Sequence, residues 1–239
     1  MEMNGYIPSE IALLGDLVEL ILNANDLTGS LPQELFDLRN LEEMYLSDNA
    51  LTGNLPSTFK EGNYNLRVLD LSENNLEGTL PPELFVNMPN LEFVFLASKN
   101  YSFTGTFPTE IGLLKAIIEL DLGNNRLSGS LPTELAFLTN LRMLNLKENF
   151  GLNGMVPIEF SKLENLDFLH LEGTYLENLD ESFCEISEEF EHFSSECGGD
   201  SPRVSCSCCT HCWYVICICE YSREKWGNSH ASRHCIHLV

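Results

Sequence analysis

The most reactive side chains in this sequence are its nine cysteines, and all lie from Cys184 onward. Cys184, Cys197, Cys206, Cys208, Cys209 and Cys212 form one cluster, and Cys217, Cys219 and Cys235 trail it. Thiols at this density either pair as disulfides in an oxidising compartment or hold a soft metal as thiolates. Six cysteines between 184 and 212 allow up to three bridges in several connectivities, each bridge contributing ~2–4 kcal/mol by restricting the unfolded chain. The zinc alternative draws on Cys209-x-x-Cys212 with His211, on Cys217-x-Cys219 and on His234-Cys235-x-His237. Its spacing is not that of a zinc finger, and no separate second Cys-x-x-Cys completes a four-ligand set, since Cys206-x-x-Cys209 shares Cys209. Disulfides are the expected state, with no metal and no cofactor.

Other chemistry is sparse. His170 falls near Asp121 and Glu172 in the repeat map below, but a histidine with carboxylates and no nucleophile makes a weak catalytic centre. No Gly-rich phosphate loop, H-E-x-x-H or G-x-S-x-G motif is present. The expectation is that the chain is not an enzyme and has no catalytic residue. Asn100-Tyr101-Ser102 is an N-glycosylation sequon, and it makes Asn100 a candidate modification site.

The elements that position these residues come from a repeat. Leu17-Val18-Glu19-Leu20-Ile21-Leu22-Asn23-Ala24-Asn25-Asp26-Leu27-Thr28-Gly29-Ser30-Leu31-Pro32 returns in register from Leu41, Leu66, Leu91, Ile117, Leu141 and, in part, Leu166, at spacings of 24 to 26 residues. The alternation around Leu20 and Leu22 has the period of two of a short strand with one buried face. Asn25, Asn49, Asn74, Asn125 and Asn149 follow those strands, where a buried amide can satisfy backbone groups at the turn. Glycines such as Gly29 permit left-handed backbone, and prolines such as Pro32 fix φ on the return. The segments after the prolines are long enough for one or two turns of α or 3₁₀ helix. In the fourth repeat Lys99 replaces the asparagine, and an insertion precedes Phe103.

Leu27-x-Gly29-x-Leu31-Pro32 and Leu127-x-Gly129-x-Leu131-Pro132 resemble the plant-type leucine-rich repeat, over roughly residues 4 to 183. The resemblance implies an α/β solenoid with a curved, parallel concave β-sheet and a convex side of short α/3₁₀ turns. It also implies a role like that of receptor-like protein ectodomains and secreted inhibitors, which recognise proteins, peptides or glycans. Cys206-x-Cys208-Cys209-Thr210-x-Cys212 resembles the tail of cysteine-capped repeat proteins from photosynthetic microalgae. That pattern implies a further cysteine at position 213, where Trp213 stands, so the last pairing stays open.

In such a solenoid the outward strand positions form the binding surface. One lane reads Glu19, Glu43, Val68, Phe93, Glu119, Met143 and Phe168, and the next reads Ile21, Tyr45, Asp70, Phe95, Asp121, Asn145 and His170. Phe93, Phe95, Met143 and Phe168 are apolar where solvent is expected, beside an acidic field. Tyr45, Asp70, Phe93, Phe95, Glu119, Asp121, Met143, Asn145, Phe168 and His170 are therefore the candidate ligand-binding residues, suited to a basic or amphipathic partner.

With 13 basic against 36 acidic residues and a net charge of -23, the chain should repel nucleic acid and anionic membrane surfaces. No apolar stretch approaches the ~20 residues of a spanning helix. The expected organisation is a partial repeat over 1–16, about seven leucine-rich repeats over 17–183, a cysteine-rich cap over 184–212 and a poorly ordered tail over 213–239. Met1-Glu2-Met3-Asn4 lacks the pattern of a signal peptide, and Asn4-Gly5-Tyr6-Ile7-Pro8 reads as the second half of a repeat. The expectation is a longer protein with an upstream secretory segment and an extracellular or cell-surface location. The alternatives are a structural or adhesion spacer, and a cytoplasmic assembly scaffold with reduced thiols. Oligomeric state is not encoded legibly.

Overall fold

A computed structural model describes residues 3–59 and 65–177, together with the backbone of the strands His192–Cys197, Val215–Glu220 and His234–Ile236. Each repeat is one coil of a solenoid. The first part of each coil contributes a three-residue strand: Glu19–Ile21, Glu43–Tyr45, Val68–Asp70, Phe93–Phe95, Glu119–Asp121, Met143–Asn145 and Phe168–His170. These stack in parallel and in strict register, with Glu19 beside Glu43, Glu43 beside Val68, and so on to Met143 beside Phe168. The middle residue of every strand, from Leu20 through Leu120 to Leu169, is buried, so the period of two places one face inward.

A second parallel sheet runs along the solenoid through Asn4–Tyr6, Asp26–Ser30, Ala50–Asn54, Asn75–Thr79, Phe103–Gly105, Arg126–Gly129, Gly151–Met155 and Tyr175–Glu177. This sheet adds to the concave one that the repeat resemblance implied. The Leu-x-Gly stretch forms the other because its glycines adopt positive φ, which turns the chain while keeping it paired to the coil below. Gly78, at φ +95°, is also tightly enclosed: a Cβ there would lie 2.8 Å from Asn54 Oδ1.

The prolines then set the convex side. Pro32, Pro81, Pro108, Pro132 and Pro157 hold extended ψ just ahead of a short helical turn. Most turns are five-residue 3₁₀ segments, such as Gln33–Asp37 and Thr133–Phe137. Pro82–Asn87 is α-helical, with Pro82 in the first turn and the Met88 N–H bonding back to Leu84 O. Their inward residues (Leu35, Phe36, Leu84, Phe85, Ile111, Leu135 and Phe160) close one continuous core against both sheets.

Buried asparagines tie coil to coil. Asn125 Nδ2 donates to Leu96 O, Leu122 O and Gly123 O at 3.0, 3.1 and 3.1 Å, and its Oδ1 accepts the Phe103 N–H at 2.9 Å. Asn49, Asn74 and Asn149 repeat this arrangement. Asn25, in the first full coil, is only partly buried; it reaches Leu22 O and Asn23 O of its own coil, and its Oδ1 accepts the Met3 N–H of the partial coil before at 2.8 Å.

Beyond the last repeat, His192–Cys197 continues the concave sheet beside Phe168–His170, and Val215–Glu220 and His234–Ile236 add to it in antiparallel fashion. Cys184, Cys206, Cys208, Cys209 and Cys212 lie outside the described residues, as does the side chain of Cys197, so the expected disulfides fall there too.

Candidate ligand-binding face

The strand register brings the two outward lanes together as read from the sequence. Phe93 and Phe95 lie on one strand, their rings stacked at 6.5 Å between centroids and 26° between planes. Both are half-buried, as are Met143 and Phe168, which are neighbours across adjacent strands. Glu119 and Asp121 occupy the strand between, so the apolar surface is two islands divided by an acidic strand. Two lane positions sink inward. Val68 is 8% exposed, being short and set beside Phe93, and Asn145 is 7% exposed.

The polar lane is held by a recurring turn. Asp70 Oδ1 accepts from Ser72 N–H at 3.1 Å and from the Ser72 hydroxyl at 2.6 Å. Asp121 Oδ1 accepts from Gly123 N–H at 2.9 Å, and Asn145 Oδ1 from Lys147 N–H at 3.1 Å. Such contacts to the residue two ahead fix the side-chain direction. The Tyr45 hydroxyl donates to Glu43 Oε2 at 3.0 Å. Burial pushes its pKa up, and the bond to Glu43 with the charges of Glu43, Glu19 and Asp70 pushes the same way. His170 Nδ1 stands 3.9 Å from Glu172, at the far end of the lane. Neither lane contains a lysine or arginine.

The positive charge sits on the rim. Arg67 forks onto Glu92 of the next coil with bonds of 2.9 and 2.8 Å, and three coils on Arg142 sets two nitrogens at 3.0 and 2.8 Å from Asp167 Oδ2 of its own next coil. The bond from Arg67 holds the Glu92 carboxyl below its ordinary pKa. At the fourth repeat, Lys99 reaches across two coils to Asp48 at 2.5 Å, which raises the lysine pKa. Asn100 is exposed in this insertion, its amide bonded to Asn75 Oδ1 at 2.7 Å, and the Tyr101 ring meets Phe150 at 5.8 Å.

A second asparagine ladder, not recognised in the sequence, lines the rim where the strands begin. Asn40 donates to Gly15 O, Asn65 to Arg39 O, Asn140 to Lys115 O and Asn165 to Thr139 O, at 2.6 to 2.8 Å. The signal was the recurring Asn-Leu pair that opens each repeat. Ala116 stands at this position in the fifth coil, and a cleft opens there between Glu92, Ile118, Arg142 and Asp167. Ala116→Asn should add a rung and raise stability by about 0.5–1.5 kcal/mol in urea denaturation. A loss of stability would show that the cleft cannot take the amide.

Among the described residues no cluster of His, Cys, Asp and Glu could hold a metal ion, and no helix is long and apolar enough to cross a membrane.

The family model for the leucine-rich repeat matches residues 40–61, 65–87 and 116–138. Receptor-like protein 32 of Arabidopsis thaliana is 35% identical over 86 residues, which is 36% of this chain and 10% of that protein. The crystal structure of a TDR receptor superposes with a TM-score of 0.74 at 32% identity, covering 84% of this chain and 34% of that one. The Arabidopsis receptor kinase HAESA, crystallised with the peptide hormone IDA and the co-receptor SERK1, gives 0.74 at 32% identity, covering 84% of this chain and 33% of that one. This chain thus matches about a tenth of the curated relative and about a third of the receptor structures. The repeated motif, the two parallel sheets and the superposition make the chain a leucine-rich-repeat solenoid, similar in fold to these plant receptor structures.

Proposed function

We propose that the chain is a non-enzymatic recognition scaffold that binds a peptide or a protein segment along its concave face, at the cell surface or outside the cell. The observation that carries this reading is the stacked Phe93–Phe95 pair, half-buried on the sheet face beside the carboxylates of Asp70, Glu119 and Asp121. Aromatic anchors inside a polar rim are the usual composition of a recognition surface. Structures related by fold and sequence hold peptide hormones, as the HAESA complex does. A secreted location accords with a cysteine-rich C-terminal region and an exposed sequon at Asn100.

The reading is tested by selecting binders from a random peptide library on the immobilised chain. Phe93→Ala/Phe95→Ala should weaken the selected peptides by about tenfold or more, since centrally buried aromatics dominate such interfaces. Thr106→Ala, just past the second-sheet strand Phe103–Gly105, should leave them unchanged. Equal affinity for the wild type and the double phenylalanine variant would overturn the reading.

A further inference from the structure

We propose that the Phe95 ring, set between Asp70 and Asp121, is the seat of an arginine side chain supplied by the bound peptide. This rests on the concave-face reading and names the chemistry it selects. The register places Asp70 directly beside Phe95 and Phe95 directly beside Asp121. With strands ~4.8 Å apart, the two carboxylates flank the ring at about one strand spacing on either side. Each is pinned by its turn through Oδ1 alone. The Oδ2 atoms have no hydrogen-bond partner among the described residues, so both carboxylates present one acceptor in a fixed direction.

A ligand that satisfies this arrangement must be cationic, flat and able to donate on two sides. A guanidinium meets all three requirements. It lies on an aromatic face and donates in its own plane to carboxylates. The neighbouring Phe93 ring extends the shelf so that the aliphatic stem of the side chain also has an apolar bed. Glu119 adds negative charge beside Phe93, and no lysine or arginine in either lane competes for the carboxylates. Lysine fits less well, because its ammonium is strongly hydrated and donates as a point.

The substitutions Asp70→Asn and Asp121→Asn separate recognition from folding. Asparagine keeps the Oδ1 acceptor that anchors each turn and replaces the free carboxylate oxygen with an amide. Peptides selected on the wild-type chain should carry an arginine whose replacement by citrulline, its neutral isostere, lowers affinity by about tenfold or more. The double asparagine variant should lose the same factor, no longer distinguish arginine from citrulline, and unfold at the same urea concentration as the wild type. Equal binding of the arginine and citrulline peptides overturns the arginine seat. If Phe93→Ala/Phe95→Ala still weakens those peptides, the concave-face reading survives that result. If neither set of substitutions changes affinity, or the library yields no binder, both proposals fall.

Discussion

Asn125→Ala should lower the stability of the solenoid by about 3–5 kcal/mol, measured by urea denaturation followed by circular dichroism. The side chain is fully buried and serves four backbone groups from two coils: Leu122 O and Gly123 O of its own coil, and Leu96 O and the Phe103 N–H of the coil before. Alanine removes every partner at once and leaves those groups enclosed. Each buried orphan costs about 1–3 kcal/mol, partly offset where water follows the cavity inward. Asn25→Ala offers the internal comparison. That side chain is partly exposed, water can replace it, and its loss should cost about 1 kcal/mol. A change at Asn125 no larger than that at Asn25 would mean that the ladder is not what couples the coils.

Phe85→Ala should cost about 3–5 kcal/mol, from lost apolar burial and the cavity left behind. Phe85 is fully buried on Pro82–Asn87, the one α-helical turn among the described residues, facing the core of the third and fourth coils. Neighbouring turns pack directly against it, including Thr109–Leu113. The form of unfolding should change as well. In a repeat array each coil is stabilised mainly by its neighbours, so weakening a central coil uncouples the two ends. A single denaturation transition in the wild type should broaden or divide in Phe85→Ala. A sharp single transition with a shift below ~1 kcal/mol would show that the helical turn contributes little to the core.

The coil itself was legible from spacing alone. Leucines recurring every 24 to 26 residues can bury one face only by stacking, and the alternation at Leu20 and Leu22 gave both strand and direction. The asparagines after each strand announced their role, because a conformational need for a buried amide recurs with the coil. The second sheet was not legible, since Leu-x-Gly reads locally as a turn and becomes a strand only when the next coil pairs with it. The pairing of Lys99 with Asp48 spans two coils, a separation no single-repeat reading contains. On the concave face, the sequence placed Phe93, Phe95, Asp70 and Asp121 in the correct lanes. What it could not supply was the stacking of the two rings, the sinking of Val68 beneath its neighbour, or the turns that leave one oxygen of each aspartate available. Those depend on side-chain packing between coils.

Basic residues such as Arg67 and Arg142 are already committed to carboxylates on the rim, so the sheet face keeps an uncompensated negative field. Under the proposed recognition, that field should speed the approach of a cationic peptide and weaken with salt, and contact with the aromatic pair should decide residence.

The most direct test of concave-face recognition is hydrogen exchange on the chain with and without a library-selected peptide at saturating concentration. Binding along the concave face should slow exchange in the strands Val68–Asp70, Phe93–Phe95 and Glu119–Asp121 and leave the second-sheet strands Ala50–Asn54 and Arg126–Gly129 unchanged. Protection confined to the second sheet or to the convex turns would contradict it.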